Sequence, residues 1–315
     1  MRLRHKLRLA FTTLLWTGLA AAANTAIAQP APASTESEGK VSTRKPVSAV
    51  LPPGFVTATL DVEGPRAGKI RGYVLRPPTI GPEVKVPAII ALHGCGGPLN
   101  RKGRLSARHR AWAKLLTSWG YAVIFPDSFN PRGFREICRV RARERPIKAG
   151  QRFHDAAAAM KWLKAQAGID ANRIAILGWS NGGSATLHAA SSRTSLPAPD
   201  ARVAIAFYPG CRVPARNPDW RSRIPLTILI GASDNWTRPE HCRRLARHDP
   251  GIRLIEYPGA VHGFDAPNSP RRTRHDAAVA SDPESGVEVG TDPKARAAAI
   301  AEVKSILQQA FSNKR

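Results

Sequence analysis

The feature that most constrains the fold is a short apolar run that ends in a serine flanked by glycines. Residues 174–177 are Ile-Ala-Ile-Leu, and the sequence GWSNGG follows at positions 178–183. An apolar run that enters Gly-x-Ser-x-Gly and continues into small residues predicts a strand, a sharp turn and a helix. Glycine suits the positions beside such a serine because a Cβ there would collide with the neighbouring chain. The pattern therefore predicts a nucleophile elbow with Ser180 at its tip.

The N-terminal region predicts an exported protein. Residues 1–8 are basic, residues 9–23 are apolar, and an Ala-Ile-Ala site ends at Ala28. These are the three parts of a secretory signal peptide, and the apolar part is shorter than the roughly 20 residues of a membrane span. We therefore expect a periplasmic or secreted protein with no membrane span after cleavage. The predicted organisation is a signal peptide (1–28), a flexible Pro- and Ser-rich leader (29–53) and one folded domain (54–313).

The chain is strongly basic, with 48 Lys and Arg residues against 23 Asp and Glu and a formal net charge of +25. A field of this sign attracts acidic polymers, nucleic acid or an acidic membrane surface. The basic residues are scattered, and they do not interleave with aromatic residues as in a stacking platform for nucleic acid. We predict no specific nucleic-acid partner. A non-catalytic protein that binds a polyanion is an alternative.

Four cysteines, at positions 95, 138, 211 and 242, fit an exported protein with disulfide bonds. Four cysteines allow three pairings. We favour a Cys211–Cys242 bridge, since each of these cysteines follows one of two consecutive predicted strands. No pair has the Cys-x-x-Cys spacing of a metal site, and we predict no metal ion.

Strands and helices alternate along the rest of the chain. Residues 86–93 are almost continuously apolar, as expected of a strand buried on both faces. Ser106 is the predicted cap of a following helix. Regular alternation predicts a mostly parallel, doubly wound α/β sheet of eight strands with helices on both faces. The predicted strands span residues 55–62, 70–75, 86–93, 121–125, 174–177, 203–207, 226–230 and 252–257.

A serine nucleophile needs a histidine base and an acid that orients the base. In this fold class the acid follows the serine in the chain and the histidine follows the acid. Asp234 comes just after one predicted strand and His262 just after the last, so both should lie at the carboxyl end of the sheet, beside Ser180. Asp265 and Asp127 are the rival acids. We predict Ser180, Asp234 and His262 as the catalytic residues.

Backbone amides are the expected donors for an oxyanion. One belongs to Asn181, the residue after the serine. The other should come from the sequence HGCGG at positions 93–97, which follows a predicted strand and whose glycines let the backbone approach a substrate. We predict the amides of Cys95 and Asn181 as the oxyanion hole.

Together these motifs resemble the dienelactone hydrolase family of α/β-hydrolases. The resemblance covers residues 86–311, and it implies an α/β-hydrolase fold, hydrolysis of esters or lactones, and no cofactor. It rests on HGCGG at 93–97, PDSF at 126–129, Asp155, GWSNGG at 178–183, GASD at 231–234 and HGF at 262–264.

Two positions depart from the enzymes that give this family its name. Those enzymes have a cysteine where this chain has Ser180. They also hold the substrate carboxylate with arginines, one of them four residues after the catalytic histidine, where this chain has Ala266. The departures imply a neutral or differently shaped ester rather than dienelactone. The elbow is also similar to those of prolyl-oligopeptidase-like peptidases, so a peptidase is a second alternative.

The predicted substrate site is an open cleft without a lid domain. The segment 210–224, where lipases often insert a lid, is short. An open cleft suits a small-molecule or polymer-attached ester. Its predicted substrate contacts are Trp179, Trp236, Phe129 and Arg132. Packing under the elbow is the alternative for Trp179, and an exposed surface position without a substrate contact is the alternative for Arg132.

Overall fold

The computed structural model describes residues 47–78, 84–193, 201–278 and 285–312. The predicted signal peptide and residues 29–46 of the predicted leader lie outside these ranges. The strands are β1 (Val56–Val62), β2 (Gly68–Leu75), β3 (Val86–Leu92), β4 (Ala122–Pro126), β5 (Ile169–Trp179), β6 (Ala204–Phe207), β7 (Leu226–Gly231), β8 (Ile252–Tyr257), β9 (Arg272–Arg274) and β10 (Val287–Val289). The helices are α1 (Ala107–Ser118), α2 (Phe153–Lys164), α3 (Asn181–Ala190), α4 (Pro239–His248) and α5 (Pro293–Ser312).

Eight strands form one sheet in the order β1-β2-β4-β3-β5-β6-β7-β8. β1 and β2 pair antiparallel, β2 pairs antiparallel with β4, and every later pair is parallel. The eight-stranded, mostly parallel sheet predicted from the sequence is therefore confirmed. The strands are apolar because both faces are covered, as in doubly wound proteins.

Each face of the sheet has its own core. Helices α1 and α5 contribute Trp112, Leu116, Val303 and Leu307 to the core on one face. Helix α2 covers the other face with a run of small and apolar residues that ends at Leu163. Burial on both faces explains why the sequence pattern along the central strands is continuous rather than alternating.

The parallel strands bring the loops that follow them to one edge. β3, β5, β6 and β7 are adjacent and run in the same direction, so their carboxyl ends lie side by side. The loops after these strands begin at His93, Ser180, Tyr208 and Ala232. Loops at the carboxyl ends of such strands are the usual position of a site in open α/β sheets.

Two features at the margins of the fold differ from expectation. β9 and β10 pair antiparallel as a separate two-stranded sheet, which the sequence analysis did not predict. The predicted leader is also too long at its C-terminal end. Val50 donates a backbone hydrogen bond of 2.9 Å to Gly103, and the amide of Val47 donates one of 2.9 Å to the side chain of Asn130. These bonds attach residues from 47 onward to the domain.

The buried imidazole of His109 makes stability depend on pH. His109 is 3% exposed, and burial, followed by the nearby charge of Arg108, lowers its pKa to about 3. The ring is therefore neutral in the folded protein but titrates near its ordinary pKa of about 6.5 in the unfolded chain. Because the unfolded state binds the proton more tightly, this histidine contributes stability above pH 6.5 that is lost as the pH falls.

We expect His109→Gln to remove this dependence. The wild-type free energy of unfolding should fall by about 2 kcal/mol more than that of the variant between pH 7 and pH 5. Urea unfolding at both pH values measures the difference. Equal losses in the two proteins would contradict the expectation.

Candidate active site

Ser180 occupies a strained turn between β5 and α3. Its φ is 53° and its ψ is −114°, in the left-handed half of conformational space that non-glycine residues rarely adopt. The amide of Ser180 donates a hydrogen bond of 2.9 Å to the carbonyl of Phe207, which holds the turn against β6. A Cβ on Gly182 would overlap the carbonyl oxygen of Leu92. The glycine therefore allows α3 to begin directly against β3.

Three predicted residues form one hydrogen-bonded chain. The Ser180 Oγ lies 3.0 Å from His262 Nε2, and His262 Nδ1 lies 2.8 Å from Asp234 Oδ2. Asp234 is 2% exposed and His262 is 5% exposed. The carboxylate is thus shielded from water on one side of the ring, and the serine hydroxyl faces the other nitrogen. This is the geometry of a nucleophile, a base and an orienting acid.

The carboxylate of Asp234 is held by its own loop. Its Oδ1 accepts hydrogen bonds from the backbone amides of Trp236 and Thr237, at 2.9 and 2.8 Å. Its Oδ2 also accepts a hydrogen bond of 2.9 Å from the Thr237 hydroxyl. The sequence analysis missed Thr237, although an Asp followed three residues later by Thr is typical of a turn closed by side-chain hydrogen bonds. These bonds leave Asp234 little freedom to turn away from His262.

The two rival acids have other partners. Asp265 accepts hydrogen bonds from Trp112 and Tyr208 and forms a salt bridge of 3.2 Å with Arg108. Asp127 accepts one of 2.9 Å from the Tyr73 hydroxyl, and burial raises the pKa of its carboxyl group. Both carboxylates are fully buried away from the ring nitrogens of His262, so neither is placed to orient that ring.

The glycine-rich loop after β3 lies against the serine. A Cβ built on Gly94 would be 3.6 Å from the Cβ of Ser180. Among the described residues, the amides of Cys95 and Asn181 donate no hydrogen bond to another protein group. The two predicted oxyanion donors therefore lie near Ser180, and their N–H groups have no acceptor among the described protein groups.

A buried arginine joins this loop to the elbow. Arg152 Nη1 donates hydrogen bonds of 2.8 Å to the His93 carbonyl and 2.7 Å to Asn181 Oδ1, and its Nε donates one of 3.0 Å to Ser128 Oγ. The guanidinium lies 5.1 Å from the centre of the Phe129 ring. Arg152 is fully buried, and burial lowers its pKa to about 10. The sequence analysis missed this residue, because no local pattern marks an arginine that bonds distant loops.

Both disulfides lie at this edge of the sheet. Cys211 pairs with Cys242, as the sequence analysis favoured, and links the loop after β6 to α4. Cys95 pairs with Cys138 and links the glycine-rich loop to the segment that follows β4. The carbonyl of Cys95 also accepts a hydrogen bond of 2.9 Å from the amide of Ile137. The position of the Cys95 amide is thus fixed from two directions.

Of the four predicted substrate contacts, the structure places only Trp236 in a cleft beside Ser180. The expectation for the other three is corrected. Trp179 and Phe129 are fully buried. Trp179 points into the core between Trp112 and Phe207, because neighbouring side chains on a strand face opposite sides of the sheet. Arg132 forms a salt bridge of 2.8 Å with Asp155 and lines neither cleft at Ser180.

Among the residues that the structure describes, two clefts include Ser180 in their lining. The wide cleft has a volume of about 510 Å³ and extends past Asn181 toward the segments 142–150 and 210–216. The narrow cleft has a volume of about 200 Å³ and extends past His262 toward the segment 269–274. No lid is evident over either cleft in the part of the chain that the structure describes.

Neither a metal site nor a membrane span is found in the described ranges. These residues hold no cluster of three or more His, Cys, Asp or Glu side chains that could bind a metal ion. They also include no helix with the length and hydropathy of a membrane span.

Solved structures with this fold come from esterases and peptidases. Esterase 2 from Thermogutta terrifontis, phosphoramylated by tabun, aligns with a TM-score of 0.56 and 18% identity over 82% of this chain and 95% of that one. Dipeptidyl peptidase 4 from Porphyromonas gingivalis aligns with a TM-score of 0.56 and 15% identity, over 82% of this chain but only 35% of that one. At these identities the likeness shows the shared α/β fold.

A sequence relative and a family model identify the family. A probable 2-oxo-3-(5-oxofuran-2-ylidene)propanoate lactonase from Bradyrhizobium sp is 23% identical over 208 residues, which is 61% of this chain and 77% of the relative. The model of the dienelactone hydrolase family matches residues 70–311, a range that runs from β2 to α5. The chain therefore belongs to the dienelactone hydrolase family of hydrolases.

Proposed function

We propose that this protein is an exported serine hydrolase that cleaves a carboxylic ester or lactone through an acyl-enzyme on Ser180. The observation that carries the proposal is the hydrogen-bonded chain from Ser180 through His262 to Asp234, next to the two unused amides of Cys95 and Asn181. A serine on a strained turn, with a base at 3.0 Å, is arranged for nucleophilic attack.

These contacts support the following course of reaction. His262 Nε2 takes the proton of the Ser180 hydroxyl as Oγ bonds to the substrate carbonyl carbon. The carbonyl oxygen gains the negative charge and accepts hydrogen bonds from the Cys95 and Asn181 amides. When the tetrahedral intermediate collapses, the C–O bond to the alcohol breaks, and the alcohol takes the proton from His262.

Water then repeats the sequence on the acyl-enzyme. His262 removes a proton from the water molecule, whose oxygen attacks the acyl carbon, and Ser180 recovers the proton as the leaving group. An ester gives one alcohol and one carboxylic acid, and a lactone gives a single hydroxy acid. Asp234 keeps the ring of His262 in the tautomer whose Nε2 accepts the serine proton, and it stabilises the charged ring in between.

We propose esters and lactones rather than peptides as substrates because of two relatives. In both, this chain aligns with most of the relative's length. The Thermogutta protein is an esterase and the Bradyrhizobium relative is described as a probable lactonase. The peptidase, by contrast, matches over about a third of its own length. Export is supported by the predicted signal peptide and by the two disulfides, which persist in oxidising compartments.

The proposal is tested with the purified mature protein, a fluorophosphonate probe and p-nitrophenyl acetate. We expect one probe molecule per chain, an adduct on the peptide that contains Ser180, and loss of esterase activity in step with labelling. An anilide with the same acetyl group tests amide cleavage. A protein with no adduct and no turnover, or an adduct at another residue, would contradict the proposal.

Arg152 should support the oxyanion site without touching the substrate. Removing its side chain leaves the His93 carbonyl and the Asn181 side chain without their donor, so both amide-bearing segments lose an anchor. We expect Arg152→Met to lower kcat by about 10- to 100-fold with little change in KM, since the lost contacts orient groups that act in the transition state.

Arg152→Lys is the conservative variant. The lysine ammonium keeps the positive charge and donates from one nitrogen instead of two, so part of the lost kcat should return. Thermal unfolding of both variants shows whether the fold is intact. A loss confined to KM, or equal kcat values in the wild type and Arg152→Met, would contradict a positioning role.

A further inference from the structure

The two clefts offer separate binding sites to the two parts of an ester. They share Ser180, Cys95 and Trp236, and their other lining residues differ. An ester whose carbonyl carbon lies at the Ser180 hydroxyl must extend in two directions from that point. An ester bound in this way would place its acyl part in one cleft and its alcohol part in the other. What lines each cleft then decides which groups these parts carry.

The wide cleft is lined by unpaired positive charges. Arg145, Lys148, Arg212 and Arg216 all contribute to its wall. Arg212, Arg216 and Lys148 are exposed and Arg145 is half-buried. None of the four forms a salt bridge within the described residues, and Arg145 donates its Nε hydrogen bond to the carbonyl of Val140. The charges of Lys148, Arg212 and Arg216 are available to a bound anion, whereas that of Arg145 is partly offset by the nearby carboxylate of Glu136.

The narrow cleft has one uncompensated arginine. Arg108 and Arg274 also line it, but Arg108 pairs with Asp265 at 3.2 Å and Arg274 pairs with Asp276 at 3.0 Å. Arg272, by contrast, donates to a serine hydroxyl and to a backbone carbonyl, and no carboxylate faces it among the residues that the structure describes. Each cleft thus keeps at least one positive charge that the protein does not neutralise.

Acidic side chains are absent from both linings. The residues that line the wide and the narrow cleft include neither Asp nor Glu in the described part of the chain. Some arginines elsewhere on the surface have carboxylate partners, as in the pairs of Arg271 with Glu288 and Arg243 with Glu256. Clefts lined by one sign of charge concentrate ligands of the opposite sign.

We propose that the substrate is an ester with a negatively charged group on each side of the scissile bond, one bound in the wide cleft and one in the narrow cleft. This inference rests on the proposed function, since it assigns the substrate class of the same site. The charged ester proposed here replaces the neutral ester that we expected because Ala266 stands where related enzymes have an arginine. The basic residues belong to the segments 145–148, 212–216 and 272, none of which the family resemblance singled out.

Four aryl esters with the same skeleton test the proposal. The acyl part is adipoyl, with its distal carboxylate free or methylated, and the alcohol part is 4-hydroxybenzoate, with its carboxylate free or methylated. This set gives one neutral ester, two monoanions and one dianion. Each kcat/KM is divided by the rate constant for hydroxide hydrolysis of the same ester, which removes differences in intrinsic reactivity.

At low ionic strength we expect each negative charge to raise the normalised kcat/KM by about tenfold, so that the dianion exceeds the neutral ester by about 100-fold. The advantage should shrink in 0.5 M NaCl, because salt screens charges at exposed sites. Arg212→Gln/Arg216→Gln should reduce the preference for a charge on one end of the ester. Arg272→Gln should reduce the preference at the other end.

Lys114→Gln/Arg193→Gln is the matched control. It also removes two exposed positive charges, one from α1 and one beyond the end of α3 that is distant from Ser180. We expect it to leave the ratios between the four esters unchanged. An equal loss in this control would overturn the proposal in favour of attraction by the overall charge.

Normalised rates that are equal for the neutral ester and the dianion would overturn the proposal. So would turnover of p-nitrophenyl acetate without turnover of any of the four esters. In either case labelling of Ser180 still supports the hydrolase. Failure of both labelling and p-nitrophenyl acetate turnover instead removes the proposed function itself, so the two failures are distinguishable.

Discussion

Replacing Ser180 with alanine should lower kcat by about 10⁴- to 10⁶-fold, the range seen when a nucleophile of this kind is removed. The Oγ that lies 3.0 Å from His262 is the atom that bonds to the substrate, and alanine offers no substitute. Residual turnover should come from the remaining amides and the bound geometry. Steady-state kinetics with p-nitrophenyl acetate, together with fluorophosphonate labelling, measures the loss.

Two further serine variants show whether the loss of kcat in Ser180→Ala comes from the missing Ser180 hydroxyl. Ser118→Ala removes an exposed hydroxyl near the end of α1, and its kinetics should match those of the wild type. Ser180→Gly should be as inactive as Ser180→Ala but more stable, because glycine adopts a φ of 53° without the strain of about 1–3 kcal/mol. Labelling or turnover that persists in Ser180→Ala would rule out Ser180 as the nucleophile.

Replacing Asp234 with asparagine should lower kcat by about 10⁴-fold through the tautomer of His262. Oδ1 of Asp234 accepts two backbone hydrogen bonds, so the asparagine oxygen must stay on that side. The amide nitrogen then faces His262 and donates a hydrogen bond to Nδ1. The ring proton is forced onto Nε2, which faces Ser180 and can no longer accept the serine proton.

The effect of Asp234→Asn is checked with kinetics and with imidazole proton resonances. We expect the proton on Nδ1 of His262 in the wild type and on Nε2 in the variant. Asp61→Asn, at an exposed carboxylate paired with Lys69, is the control and should leave kcat unchanged. A normal kcat in Asp234→Asn would mean that another acid orients His262.

The sheet and the positions of the three candidate catalytic residues were predictable because they follow from local patterns. Each predicted strand is an apolar run, and parallel strands place the residues that follow them at one edge. Ser180, Asp234 and His262 each come soon after such a strand, so their meeting point follows from the topology. Their catalytic roles stay predictions until the variants are measured.

The parts of the site that were missed depend on contacts between distant segments. Arg152 acts on residues 59 and 29 positions away in the chain, and nothing in its neighbourhood signals those partners. Trp179 was one of the predicted substrate contacts, with packing under the elbow as the alternative. At the end of a buried strand, however, the direction of a side chain depends on which face it occupies, and Trp179 faces the core.

The charge of the chain gained meaning only from its distribution in space. The arginines are scattered along the sequence without a recognisable pattern. The sequence alone therefore favoured the interpretation that the positive charge has no specific function. In the structure, segments far apart in the chain bring unpaired arginines to the same two clefts, while acidic residues lie elsewhere. Composition measures the total charge, but the fold decides where that charge is concentrated.

The two disulfides restrict the motion of the loops around the site, although these loops lie outside the sheet. Loops at strand ends normally open and close locally, well before a protein unfolds globally. Here Cys95–Cys138 and Cys211–Cys242 each tie such a loop to a second segment, and neither bridge joins two strands of the sheet. Reduction of the two disulfides should therefore speed amide hydrogen exchange in the loops around the clefts. The amides in the interior of the sheet should remain protected. The local stability of the site depends on oxidation, whereas that of the sheet depends on packing.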